Sequence, residues 1–232
     1  MCALPLEQEI EYPTSDGQPM AETTLHRVVM SDVIEGLERR FAGTADVWVG
    51  GNLLLYYQKG DRNKSVAPDV LFARGVAKRS RDTYLLWEEK VPALVFEITS
   101  RWTRREDMGS KKVLYERLGV EELVLFDPYG DYLEPRLQGY RLERGRYRSI
   151  PVNSDGSLDV RTAGVTVRPE DERLRLVDTA SGEKLLWNDE LEAALRSEIA
   201  ARQTAEDRAA AAEERAWALA EELDRLRRKA KL

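Results

Sequence analysis

Between Leu94 and Phe126 the chain reads as strand, helix, strand. Leu94–Thr99 and Glu122–Phe126 are short, dense apolar runs of the kind buried on both faces of a sheet. A helical pattern from about Arg105 to Leu118 separates them and stops at Gly119, a glycine placed to end a helix. Two strands joined through one helix must lie parallel with a right-handed crossover. That geometry commits the chain to an α/β fold with layers covering the sheet on both sides.

The rest of the body builds on this unit. A turn is expected at Pro13-Thr14-Ser15-Asp16-Gly17, then a helix over about Glu22–Phe41. Leu25, Val28, Val29, Val33, Leu37 and Phe41 form the apolar stripe of that helix. Asp46–Val49 and Leu53–Tyr57 read as strands, and Gly50-Gly51-Asn52 suggests a hairpin turn between them. Val70–Ala73 is another buried strand. Tyr140-Arg141-Leu142 and Tyr147–Ile150 flank Arg144-Gly145 as an antiparallel hairpin. The expected fold is a mixed β-sheet flanked by helices over residues 1–187. Residues 188–232 contain no Gly and no Pro and read as one long helix.

Two acids stand where an apolar strand would reject them. Asp69 opens the Val70 strand, and Glu97 sits inside Leu94-Val95-Phe96-Glu97-Ile98. An unpaired acid in such a place costs several kcal/mol. Two acids on neighbouring strands would also repel each other, and a hard cation relieves both problems. Mg²⁺, with Mn²⁺ as substitute, suits few protein carboxylates together with water and substrate oxygens. Asp69 and Glu97 are therefore candidate ligands, and the backbone carbonyl of Ile98 could add a third. Asp107, Lys111 and Tyr115 come next at a spacing of four and share one helix face. Lys111 would face the sheet and either orient or deprotonate a water or offset phosphate charge. Lys112, rotated about 100° away, would be solvated.

Pro68-Asp69, Glu97-Ile98-Thr99-Ser100, Asp107-x3-Lys111-x3-Tyr115, Leu118-Gly119-Val120-x-Glu122 and Phe126-Asp127-Pro128 together resemble the Uma-two family. That family belongs to the restriction-endonuclease-like, PD-(D/E)xK superfamily. The resemblance spans roughly residues 12 to 187 and includes the Asp16-Gly17 turn and the helix carrying His26. It implies a metal-dependent nuclease core with Asp69, Glu97 and Lys111 as its triad and DNA as substrate. The superfamily's lysine usually stands two residues after the second acid, where this chain has Thr99. The Uma-two pattern places it on the next helix, at Lys111. Many nucleases of the superfamily carry an extra acid on an early helix, which makes Glu22 and His26, an i, i+4 pair, accessory candidates beside Tyr115.

Arg74, Lys78, Arg79 and Arg81 come after the Asp69 strand, and Arg101, Arg104 and Arg105 come after Glu97. Either group could be solvated loop, or could contact phosphates beside the site. The formal net charge of −6 argues against a strong nonspecific nucleic-acid binder but leaves room for such local patches. Cys2 is the only cysteine, so neither a disulfide within the chain nor a cysteine zinc site is available. No apolar run approaches a bilayer span, and Met1–Glu7 lacks a secretion pattern, so a cytoplasmic location is expected. The tail mixes 9 basic with 11 acidic residues and so is no nucleic-acid arm. Its residues Leu191, Leu195, Glu198, Arg202, Ala205, Ala209, Ala212, Ala216, Leu219, Leu223 and Leu226 step by four and three. This weak heptad seam suggests a coiled coil that pairs subunits. The sequence thus favours a cytoplasmic Mg²⁺-dependent DNA endonuclease that dimerises through its tail. The alternative is a catalytically silent scaffold of the same fold.

Overall fold

The computed structural model describes residues 12–15 and 23–229. Glu22, Asp16 and Gly17 lie outside the described residues. The first helix, α1 (Thr24–Arg40), begins where Thr23 caps it by accepting from the His26 N–H. The strands are β1 (Val47–Gly50), β2 (Leu54–Tyr56), β3 (Ser65–Val66), β4 (Val70–Arg74), β5 (Thr83–Leu85), β6 (Leu94–Ile98), β7 (Glu122–Phe126), β8 (Leu137–Glu143), β9 (Arg146–Ser149), β10 (Leu158–Val160), β11 (Val165–Glu170) and β12 (Arg173–Asp178). Between β6 and β7 run α2 (Arg104–Glu106), a π-helical turn over Asp107–Lys111, and α3 (Lys112–Leu118).

Among the described residues, one sheet of six strands has the order β1-β4-β6-β7-β8-β9. β6 and β7 are parallel, with Glu97 opposite Leu125, and the remaining pairs are antiparallel. The crossover therefore forms as expected, and Gly119 closes α3 at φ 88°. The β8–β9 hairpin also forms around Arg144-Gly145.

Alternation along the central strands divides the core in two. Val70, Phe72, Leu94, Phe96, Val124 and Phe126 pack with α1 and with β10–β12. Leu71, Ala73, Val95, Leu123 and Leu125 pack on the opposite face with Tyr115 of α3 and with Leu55 and Tyr84. Glu97 falls between Phe96 and Ile98, so it points into this second, α3-facing half. The β10–β11–β12 sheet, which no expectation covered, completes the first half. Asp32 of α1 holds it through a bidentate pair with Arg173, both contacts at 2.7 Å.

The expected hairpin at Gly50-Gly51-Asn52 does not form. β1 pairs with β4 in the large sheet, whereas β2 pairs with β3 and β5 in a separate one. The three residues pass the chain from one sheet to the other. Gly51 runs so close to β4 that a Cβ there would lie 1.9 Å from the carbonyl oxygen of Asp69. Asn52 adopts φ 52°, and its N–H donates to the Pro68 carbonyl at 3.1 Å. A glycine is required because two backbones touch, not because the strands turn back.

The body, residues 1–185, and residues 186–232 form two compact units. The second contains α4 (Asn188–Lys229), a helix of 42 residues with none buried. Among the described residues, no helix is long and apolar enough to cross a membrane.

Gly51→Ala should destabilise the body by at least about 1–3 kcal/mol, because backbone atoms cannot move aside as a side chain can. Denaturant unfolding of the two proteins measures this, and an unchanged midpoint would contradict the close approach.

Candidate active site

The acids meet at one end of the central strands. Asp69 stands immediately before β4, beside the last residues of β6. Its Oδ2 accepts from the Ile98 N–H at 2.6 Å, and its Oδ1 lies 3.1 Å from His26 Nε2. A carboxylate can only accept, so the imidazole donates. α1 thus contributes one side chain to the site, placed there by the Thr23 cap. The N–H and C=O of a strand residue leave the same side of the strand. The Ile98 carbonyl therefore lies on the edge that Asp69 occupies.

Glu97 is 1% exposed. Tyr115 donates its hydroxyl to Oε1 at 2.5 Å, and Lys111 donates from Nζ to Oε2 at 2.8 Å. Both partners come from the crossover segment between β6 and β7. Lys111 also lies 3.2 Å from Oδ1 of Asp107, whose carboxylate is likewise 1% exposed. Apart from that ion pair and the nearby Thr103 side chain, neither Asp107 oxygen has an aligned hydrogen-bond partner among the described residues. Thr99 Oγ1, in the position of the usual superfamily lysine, is also buried without one.

Charge does not balance here. Asp69, Glu97 and Asp107 face the single ammonium of Lys111. Burial pushes the Glu97 carboxyl up to about 8; Lys111 opposes the rise, and Asp69 and Asp107 add to it. Burial pushes Asp107 up as well. Burial alone would pull Lys111 down, but Glu97, Asp107 and Asp69 outweigh it and raise its proton affinity. Lys111 accordingly acts as a donor to Glu97 in this arrangement. Tyr115 is raised by burial and by Glu97, so its phenol stays protonated.

This donor set fits a hard divalent cation. Its oxygens are carboxylates in excess of local positive charge, and two of them lie in unfavourable burial. Among the described residues, no three His, Cys, Asp or Glu side chains form a ready cage. Mg²⁺ does not demand one, since it commonly binds one or two carboxylates and completes its shell with water and substrate.

The two basic groups have different fates. Arg74 ends β4, about 16 Å along the strand from Asp69, and lies over the Phe72 ring. Lys78 donates to the carbonyls of Phe41 and Ala42, closing the end of α1. Arg79 and Arg81 both bind Glu89, and Arg81 stacks on Trp48. These residues hold the far end of the sheet, which corrects their candidacy as phosphate contacts. Chain continuity with Asp69 was misleading, because an extended strand carries the chain far from its first residue. Arg101 and Arg104 instead leave the β6 end that carries the acids. Lys112 is not solvated as expected but sits with Nζ 3.4 Å from the centroid of the Tyr140 ring.

A sequence model of the Uma2 family, described as "Putative restriction endonuclease", matches residues 1–168. The chain belongs to the Uma2 family. Among solved structures it is similar to a "putative nuclease belonging to DUF820" from Anabaena variabilis. That likeness has 16% identity and a TM-score of 0.46, and covers 62% of this chain and 76% of the other. No curated protein matches the chain.

Sequence reasoning missed two features of this Uma2 chain. One is the burial of Asp107 against Lys111; the spacing of four put the two on one helix face but did not show that the carboxylate is enclosed. The other is Glu122, which is buried and accepts from Arg141 at 2.7 Å and from the Thr162 N–H at 2.8 Å. It ties β7 and β8 to the segment after β10 and is structural.

The raised Glu97 carboxyl has a consequence for stability. The folded state holds that proton more tightly than the unfolded chain does. This stability is complete at low pH and is lost as pH rises through about 8. In EDTA, Glu97→Gln should flatten the fall in melting temperature between about pH 5 and about pH 9. A calorimetric pH series checks this, and an identical slope in both proteins would refute it.

Proposed function

We propose that this Uma2 protein is a metal-dependent endonuclease that hydrolyses DNA phosphodiester bonds. The observation that carries the reading is the excess of buried carboxylate around Lys111. A fold seeking stability alone would replace such a group with apolar side chains. Asp69 and Glu97 would hold Mg²⁺ or Mn²⁺, with the Ile98 carbonyl as a further ligand. The bound ion would supply a water of lowered pKa and positive charge for the phosphate oxygens.

The remaining work falls to the chain's own groups. His26 and the Ile98 N–H fix both oxygens of Asp69. Tyr115 fixes one oxygen of Glu97, and Lys111 meets the other. Lys111, held protonated, serves as a donor that stabilises charge developing on the transferred phosphoryl group. Asp107 keeps Lys111 in place from the preceding turn.

One metal site cuts one strand, so a duplex break needs two copies. The exposed α4 with its heptad seam supports pairing of subunits. The same helix also favours a second reading, a scaffold that binds no ion and works through its tail.

Asp69→Ala or Glu97→Ala should abolish Mg²⁺-dependent nicking of plasmid DNA while circular dichroism shows a folded chain. Calorimetric titration with Mn²⁺ should give binding to the parent and none to Asp69→Ala. A parent that binds no divalent ion and cuts no DNA would leave only the scaffold. Leu219→Lys combined with Leu223→Lys should convert a dimer to a monomer in sedimentation velocity. A monomeric parent would remove the coiled coil.

A further inference from the structure

Beside the acids lies a surface of a different chemistry. Trp102 stands four residues beyond β6 and is 78% exposed. The loop that carries it is not slack. The Ser100 hydroxyl accepts from the N–H groups of Trp102 and Thr103, each at 3.3 Å. Thr103 Oγ1 returns the bond by accepting from the Ser100 N–H at 3.1 Å. A large apolar side chain is thus held out into water by a closed set of local hydrogen bonds.

Trp102 and His26 line a cleft of about 240 Å³ together with Tyr129 and Tyr132. Tyr129 is 49% exposed. Their loop is organised from below by Asp127, which accepts from the N–H groups of Tyr129, Tyr132 and Leu133. Both sides of the cleft are therefore positioned by short-range bonds, as binding loops on a rigid sheet usually are.

Arg101, Arg104 and Arg105 share a second hollow with Trp102. No ion pair engages any of the three among the described residues, unlike Arg79, Arg81, Arg141 and Arg173, each of which has a carboxylate. The Arg101 guanidinium lies 5.6 Å from the Trp102 ring centroid. In a chain of net charge −6, this is a local concentration of unneutralised cation around an exposed indole.

We propose that this surface binds an unpaired stretch of nucleic acid, with one base stacked on Trp102 in the cleft toward Tyr129 and the flanking phosphates on Arg101, Arg104 and Arg105. Aromatic faces interleaved with free arginines are how single strands are held without sequence reading. A base inside a duplex is already stacked and cannot present its face to a fixed indole. The cleft continues to His26, which bonds Asp69, so a strand held here runs its backbone toward the acids. The inference deepens the nuclease reading and rests on it for what the bound strand is for. It assigns the substrate as single-stranded, or opened locally, at the site.

The test is fluorescence anisotropy of the full chain with a labelled DNA oligonucleotide, as single strand and as blunt duplex, in EDTA and low salt. The single strand should bind more tightly than the duplex. Trp102→Ala should weaken single-strand binding by about tenfold or more, and Trp102→Phe should restore most of it. Because Trp102 is exposed, the melting temperature should not change. Equal binding of single strand and duplex, or a Trp102→Ala effect within about twofold, would overturn the inference. RNA of the same sequence shows whether the sugar matters; binding through Trp102 in either case supports the surface. Binding in EDTA does not depend on the acids. A protein that binds single strands through Trp102 but cuts nothing with any metal refutes the nuclease reading alone. One that cuts DNA and ignores Trp102→Ala refutes this inference alone.

Discussion

Two buried carboxylates, Glu97 and Asp107, share the ammonium of Lys111 inside the α3-facing half of the core with Asp69 nearby, and much of the body holds the three there. Asp69 needs β4 beside the end of β6, and it needs α1 to deliver His26. Glu97 needs the crossover helix to return Lys111 and Tyr115 over its own strand. The antiparallel β4–β6 pair meets the first demand, and the parallel β6–β7 pair with its crossover meets the second. The arrangement is costly without a cation, since burial and like charge act in the same direction on Glu97 and Asp107.

The parts of this scheme that were legible in the sequence are those with strong local signals. Dense apolar runs marked β4, β6 and β7, a Gly marked the end of α3, and the absence of Gly and Pro marked α4. Glu97 stood out because an acid in such a run is conspicuous. What could not be read was mostly pairing at long range. Gly50-Gly51-Asn52 looks like a hairpin turn, because the glycines that let a chain reverse also let two backbones touch. β10–β12 alternate apolar and polar residues, as in Arg173-Leu174-Arg175-Leu176, but they are short, and the partner they pack against is set only by the placement of α1. The π-helical turn over Asp107–Lys111 has no sequence signature to set against the ordinary helical pattern.

The arginines show how far spacing along the chain can mislead. Two basic groups come after the two acidic strands, and by sequence they are equivalent. The antiparallel pairing of β4 with β6 sends them to opposite ends of the sheet. The first group neutralises Glu89 and closes α1, and it is structural. The second surrounds Trp102 at the acidic end, where no carboxylate claims it among the described residues. Strand direction separates the two, and composition does not.

The turn at Asp107–Lys111 makes the site sensitive to chain length in a way that differs from its sensitivity to side chains. A Cβ added at Gly109 would meet nothing within 4 Å, so the residue itself is replaceable. Its presence is not. Removing one residue would close the wide turn to ordinary α-helical spacing and leave Asp107 three residues before Lys111 instead of four. The carboxylate would then approach the ammonium from a different angle, and the present contact between them would have to be remade. At this point the protein can accept exchange of letters but not a change in their number.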